Sequence, residues 1–107
     1  TRAGRGDKRI MQTEFREESF VIAEKLRRHA EQTGRTLTQF ALAWMWANAI
    51  VSSVIAGPRT LAQWADYLGA LDCVISADDE ALVDSLVRPG HASTPGYNDP
   101  AYPLDGR

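Results

Sequence analysis

Residues Val54–Gln63 read VIAGPRTLAQ, and this stretch decides how the rest of the chain is understood. The residues leading into it, Ile50, Val51, Val54 and Ile55, are β-branched and nearly continuous, with only small serines between them. Such a run suits a strand covered on both faces, as parallel strands are. Gly57 and Pro58 end it. Thr60 to Gln63 is then a capping box, opening a helix whose apolar face is Leu61, Trp64, Ala65 and Leu68. This order of strand, glycine, arginine and helix has a chemical meaning. Gly57 lets a ligand approach the main chain closely. The first N–H groups of the Thr60 helix favour an anion. Arg59 adds a full charge and a planar fork that matches phosphate geometry. Gln63 and Asp66 sit one and two turns into the same helix, where a carboxylate can accept from a sugar hydroxyl or a base amino group. Tyr67 offers a ring for stacking or a hydroxyl to donate. The same residues also fit a plain strand-to-helix turn with a solvated arginine, so the turn has to be judged with its surroundings.

Upstream, Thr36 to Gln39 forms another capping box, and the helix it opens places Leu37, Phe40, Ala41, Trp44 and Met45 on one face. Asn48 is a fair terminator. Before that, Thr13 reads as an N-cap with Glu14 in the first turn, and Phe15, Ile22, Leu26 and Ala30 follow at helical spacing until Gly34 stops the helix. Residues 1–12 are charged, glycine-containing and aperiodic, which predicts a loop. Downstream, Ser76 caps a last helix with Asp78, Asp79 and Glu80 in its first turn and Leu82, Val83, Leu86 and Val87 inside. Pro89-Gly90 closes it, and residues 89–107 form an irregular tail. The predicted order over 13–88 is therefore helix, helix, strand, helix, helix. One strand alone leaves its N–H and C=O groups unpaired, so the sheet it joins is expected elsewhere. The opening TRAGRGDKR reads like the middle of a loop, and the chain is expected to be a piece of a longer protein.

The 107 residues are one domain's worth at most. A net charge of -2 gives no electrostatic reason to expect nucleic acid or an anionic membrane as partner. Cys73 is the only cysteine, so neither an intrachain disulfide nor a cysteine-built zinc site can form. The apolar stretch Phe40–Ile55 is interrupted by Asn48, Ser52 and Ser53 and is too mixed to span a bilayer. With no basic-then-apolar leader at the start, a cytoplasmic location is expected.

With these residues in hand, the chain resembles the C-terminal part of an aldo-keto reductase, of the group that includes bacterial reductases and potassium-channel β subunits. TLTQFALAWMWAN is similar to the helix before the last barrel strand, VSSVIAGPRTLAQWADYLGAL to that strand and the cofactor-clamping helix, and ISADDEALVDSLV to the extra helix outside the barrel. The resemblance implies an α/β fold, the C-terminal segment of a (β/α)8 TIM barrel, mostly helical here with one parallel strand. It implies NADPH-dependent reduction of an aldehyde or ketone, a small-molecule carbonyl substrate. Gly57, Arg59, Gln63 and Asp66 match the segment that holds the adenosine end of the cofactor and its 2′-phosphate. Where the family usually has asparagine, this chain has Tyr67, a residue able to stack on adenine or to stand by. TRAG resembles a loop that folds over the cofactor, making Arg2 a second phosphate candidate. The family's catalytic Asp, Tyr, Lys and His lie on earlier strands, which this chain does not contain. The segment alone is thus expected to grip the cofactor and to be inactive without the missing N-terminal barrel strands.

Other features read as bystanders or rivals. His29, beside Arg27 and Arg28, reads as part of a solvated helix face, and His91 has no evident partner. Tyr97 and Tyr102 in the tail are possible neighbours of a substrate pocket on resemblance alone. Arg5-Gly6-Asp7 matches an adhesion tripeptide by chance, and the three tryptophans suit packing. Ala30 and Gly34 before a capped helix have helix-turn-helix spacing, with Arg27, Arg28 and Arg35 nearby. That helix, however, shows almost nothing that hydrogen-bonds a base edge. The remaining rival is a helical interaction module.

Overall fold

The structure, a computed structural model, describes residues 3–13 and 15–89. Arg2, His91, Tyr97, Tyr102 and the tail from residue 90 onward lie outside the described residues. The helices are α1 (Lys8–Thr13), α2 (Glu17–Gln32), α3 (Leu37–Trp46), α4 (Leu61–Gly69) and α5 (Ala77–Leu86), with short 3-10 turns at Ala3–Arg5 and Ala70–Asp72. The chain divides into two compact units. Leu26–Glu80 is one, and the described residues of 1–25 and 81–107 make the other.

In the Leu26–Glu80 unit the local punctuation works as the residues dictate. Gly34 sits at φ 75°, a left-handed conformation that glycine adopts without steric cost. The Gly34 N–H donates to the Glu31 carbonyl at 3.1 Å and the Arg35 N–H to the Ala30 carbonyl at 2.9 Å, the paired bonds of a Schellman ending. Thr33 Oγ1 also donates to the carbonyls of His29 and Ala30. Two residues on, Thr36 caps α3: its hydroxyl accepts from the Gln39 N–H at 3.1 Å while Gln39 Oε1 accepts from the Thr36 N–H at 3.2 Å. At the other end Asn48 Oδ1 accepts from the Ile50 N–H and turns the chain out of the helix.

The inward face of α3 differs from the one the spacing suggested. Phe40 and Ala43 are buried, whereas Ala41 and Met45 are exposed. The reason is tertiary: α3 packs against α4 and the Ala70–Asp72 turn, and those neighbours select the Phe40–Ala43 side of a helix that is apolar nearly all round.

The segment that reads as a parallel strand is the main departure. Residues 51–59 carry no regular secondary structure, and there is no strand among the described residues. A strand exists only through ladder hydrogen bonds to a neighbour, and no other described segment supplies one. Ile55 is accordingly fully exposed and Ile50 nearly so. The Thr60 helix forms as expected, but its apolar stripe is bare, with Leu61 82% exposed and Trp64 and Leu68 about half exposed. What is buried in this unit is small: Ala30, Phe40, Ala43 and Ala70, with Asp79.

In the other unit, residues 3–12, the described part of 1–12, are not the loop that their composition suggests. Asp7 Oδ1 accepts from the N–H groups of Arg9 at 3.1 Å and Ile10 at 3.2 Å, the bonds of an N-cap, and α1 follows. Thr13 is the last residue of α1, not the cap of the next helix; α2 instead begins at Glu17 with Glu18 beside it, favourable charges for a helix start. Phe15 and Phe20 meet edge to face at 5.1 Å. Among the described residues no helix is long and apolar enough to cross a membrane.

Candidate functional site

The entrance of α4 is built from one turn of chain. Gly57 has no left-handed φ, and a Cβ placed on it would meet nothing within 4 Å. Neither the backbone nor the packing of the described residues therefore requires glycine there. Arg59 is exposed, and its guanidinium has no ion-pair partner among the described residues. Its N–H donates to Gln63 Oε1 at 2.7 Å, as does that of Thr60 at 3.2 Å, while Thr60 Oγ1 accepts from the Gln63 N–H at 3.2 Å. The box thus fixes the Gln63 carbonyl oxygen on the main chain and leaves its Nε2 group as a donor. The N–H groups of Leu61 and Ala62, too early in the helix for intrahelical partners, point out of its end. Positive charge and donors converge on this turn.

Further along α4 the candidates separate. With 3.6 residues per turn, Gln63, Asp66 and Tyr67 fall on the side opposite Leu61 and Leu68. Tyr67 is half-buried. Asp66 reaches α3: it accepts from Thr36 Oγ1 at 3.0 Å, and from Gln39 Nε2 at 3.0 Å. The Gln39 amide also donates to the Asp66 carbonyl at 3.2 Å. The missing side chain of Gly69 leaves room for this clasp, because a Cβ there would collide with the Gln39 side chain. Gly57, Arg59 and Gln63 are therefore gathered at the helix mouth, and Asp66 is held by the neighbouring helix. Arg2 lies outside the described residues.

A polar cluster that the sequence did not announce sits in the same unit. Asp79 is 2% exposed. Its Oδ1 accepts from Arg35 Nη2 at 2.7 Å and its Oδ2 from Arg35 Nη1 at 3.0 Å, a two-pronged pair. His29 Nε2 lies 2.6 Å from Oδ1, and the Ser76 N–H donates to Oδ2 at 2.9 Å. Arg35 stacks over the Phe40 ring, and His29 meets that ring edge-on. Hydrogen bonding from Arg35, against the opposing cost of burial, holds the Asp79 carboxyl far below the usual carboxylate range, with the Ser76 N–H and His29 helping. The same pair raises the Arg35 guanidinium above its ordinary value. His29 is thus a partly buried partner of Asp79 and not part of a solvated face. Arg35, which a DNA contact would need, is committed to Asp79, and Arg27 to Glu31. In the sequence Asp79 is one of three acids beside a helix start; its partners Arg35 and His29 lie 44 and 50 positions away.

Among the described residues no group of His, Cys, Asp and Glu side chains is placed to hold a metal. The family model described as Aldo/keto reductase family matches residues 2–88. The chain belongs to the aldo/keto reductase family, oxidoreductases built on a TIM barrel that use nicotinamide cofactors. No curated protein and no solved structure matches the chain.

Proposed function

We propose that residues 1–107 are the C-terminal portion of one aldo-keto reductase barrel domain, a cytoplasmic enzyme that reduces an aldehyde or ketone with NADPH. In this reading the segment supplies the adenosine-phosphate grip. Arg59 and the outward N–H groups of α4 take the 2′-phosphate, with Arg2 as a further cation. Gln63 and Asp66 contact the adenosine, and Tyr67 stacks on the base. Gly57 leaves space for the ligand against the main chain. The observation that carries the reading is Arg59: an exposed arginine with no ion-pair partner among the described residues, at a helix entrance with N–H groups to spare, near a glycine that none of the described residues demands.

The residues fit such a group chemically. A phosphate needs charge-assisted donors in a fork or a nest, and this turn offers a guanidinium, the helix-end amides and the Gln63 Nε2. Gln63 is pinned by its own capping bonds, so little ordering is left to be done on binding. When bound, the nicotinamide supplies the hydride; the acid–base chemistry belongs to residues on the preceding strands. Those strands are also the partners that the Val51–Ile55 segment lacks here, and the bare Ile55, Leu61 and Leu68 side chains suit burial against the rest of a barrel.

Titrating the tryptophan fluorescence of the enzyme that carries this chain tests the reading, since Trp64 directly follows Gln63. NADPH should quench it saturably and more tightly than NADH. Equal affinity for the two, or no saturable change with either, would overturn the assignment of Arg59 to a 2′-phosphate.

A further inference from the structure

We propose that Thr36 and Gln39, the two halves of the α3 capping box, are positioning residues that hold the Asp66 carboxylate in register for the adenosine end of the cofactor. The inference rests on the reading of Asp66 given above. A capping box is complete with two bonds, and α3 has both: Gln39 N–H to Thr36 Oγ1, and Thr36 N–H to Gln39 Oε1. Each side chain nevertheless has a donor left over, and both leftover donors go to Asp66. The Thr36 hydroxyl proton is shared between Oδ1 at 3.0 Å and Oδ2 at 3.2 Å. Gln39 Nε2 reaches Oδ1 at 3.0 Å and the main-chain carbonyl of the same residue at 3.2 Å.

The consequence is orientational. An aspartate on a helix surface samples several rotamers. Here one oxygen is held from two directions, and Gln39 holds the backbone it springs from as well. A carboxylate accepts about four hydrogen bonds, so Oδ2 keeps acceptor capacity after the weaker share of the Thr36 proton. Gly69 is part of the device, because a side chain there would expel the Gln39 amide from its place. Helix capping alone requires neither the Asp66 contacts nor a glycine at 69.

The test measures binding apart from turnover, with adenosine 2′,5′-bisphosphate as a probe of the adenosine end and reduced nicotinamide mononucleotide as a probe lacking it, on the enzyme that carries this chain. Gln39→Ala should weaken the bisphosphate about tenfold and leave the mononucleotide unchanged, with KM for NADPH raised and kcat preserved. Asp66→Ala should show the same loss, and the double variant no more than either, because the residues act as one unit. Thr36→Ser should retain full affinity. Should Gln39→Ala fail to fold, Thr36→Asp keeps a good cap acceptor but has no proton to give, and it should weaken the bisphosphate likewise. If Asp66→Ala binds both probes normally, the adenosine reading of Asp66 falls, and the inference with it. If Asp66→Ala is weakened while Gln39→Ala and Thr36→Asp are not, Asp66 binds adenosine unaided and the positioning role is refuted. Equal weakening of both probes, tracking a lowered melting temperature, would likewise overturn it in favour of a purely structural clasp.

Discussion

Replacing Asp79 by alanine should be the most damaging single change in the Leu26–Glu80 unit. The carboxylate is 2% exposed and receives two bonds from Arg35, one from the Ser76 N–H and one shared with His29. Its removal strands the Arg35 guanidinium, itself only 11% exposed at the side chain, against the Phe40 ring. Breaking a buried pair in this way costs about 3–5 kcal/mol. With urea slopes of about 1–3 kcal/mol/M for small proteins, the unfolding midpoint should fall by at least about 1 M. Asp79→Asn preserves shape and an acceptor for Ser76 but loses the charge, and about 2–3 kcal/mol should go with the charge-assisted bonds. The two variants also carry a pH signature. In the folded state the Asp79 carboxyl is held well below its ordinary value, chiefly by Arg35. The unfolded chain therefore takes up this proton at a higher pH than the folded one. The contribution is fully present above about pH 4, the ordinary aspartate range, and is lost as the pH falls from there toward the depressed folded value. Urea denaturation followed by circular dichroism at pH 7, 5 and 3 measures both effects. The parent should lose stability on acidification more steeply than Asp79→Asn, the difference isolating this group from the other carboxylates. A loss under about 1 kcal/mol in Asp79→Ala, or identical acid slopes in parent and Asp79→Asn, would refute the argument that this pair holds the unit together.

Three further outcomes are expected. Arg59→Ala should weaken NADPH about 10- to 100-fold in a fluorescence titration, the range for one charge-assisted phosphate contact, with NADH nearly unaffected. Gly34→Ala should destabilise by about 1 kcal/mol in the same urea assay, because φ 75° is strained for any residue with a Cβ. In Gly69→Ala a gain of up to about 1 kcal/mol in helix propensity opposes the loss of the Gln39 bonds, so calorimetry should show a net change within about 1 kcal/mol even as Gln39 is displaced.

What could be read in the chain follows the range over which each signal acts. Thr36, Thr60 and Ser76 announce helix starts because a cap is satisfied within four residues, and all three do so in the structure. Gly34 announces a stop for the same reason. Asp7 was legible in principle as a cap, but the charged, aperiodic stretch around it gave α1 no apolar stripe to confirm it. The strand at Val51–Ile55 was inferred from composition, yet strands are made by partners, and none is present among the described residues. The choice of Phe40 and Ala43 over Ala41 and Met45 belongs to α4 and its following turn, which the helix sequence cannot report. The Asp79 cluster depends on chain folding over more than forty residues: the Ser76–Asp79 capping spacing sets Asp79 apart from Asp78, but it carries no signal of burial against Arg35 and His29. At the candidate site Arg59 and Gln63 were visible as a turn, while the clasp around Asp66 emerged only when two helices were brought side by side.

Ile50, Ile55, Leu61, Leu71 and Val74 leave bare hydrocarbon on the Leu26–Glu80 unit, and a surface that covers it would couple folding to mass action. A surface that covers these side chains and binds the ordered state in preference to the unravelled one raises the ordered fraction as its own concentration rises. Thermal midpoints for such a polypeptide are thus properties of a mixture, meaningful only when the amount of the covering surface is stated beside them.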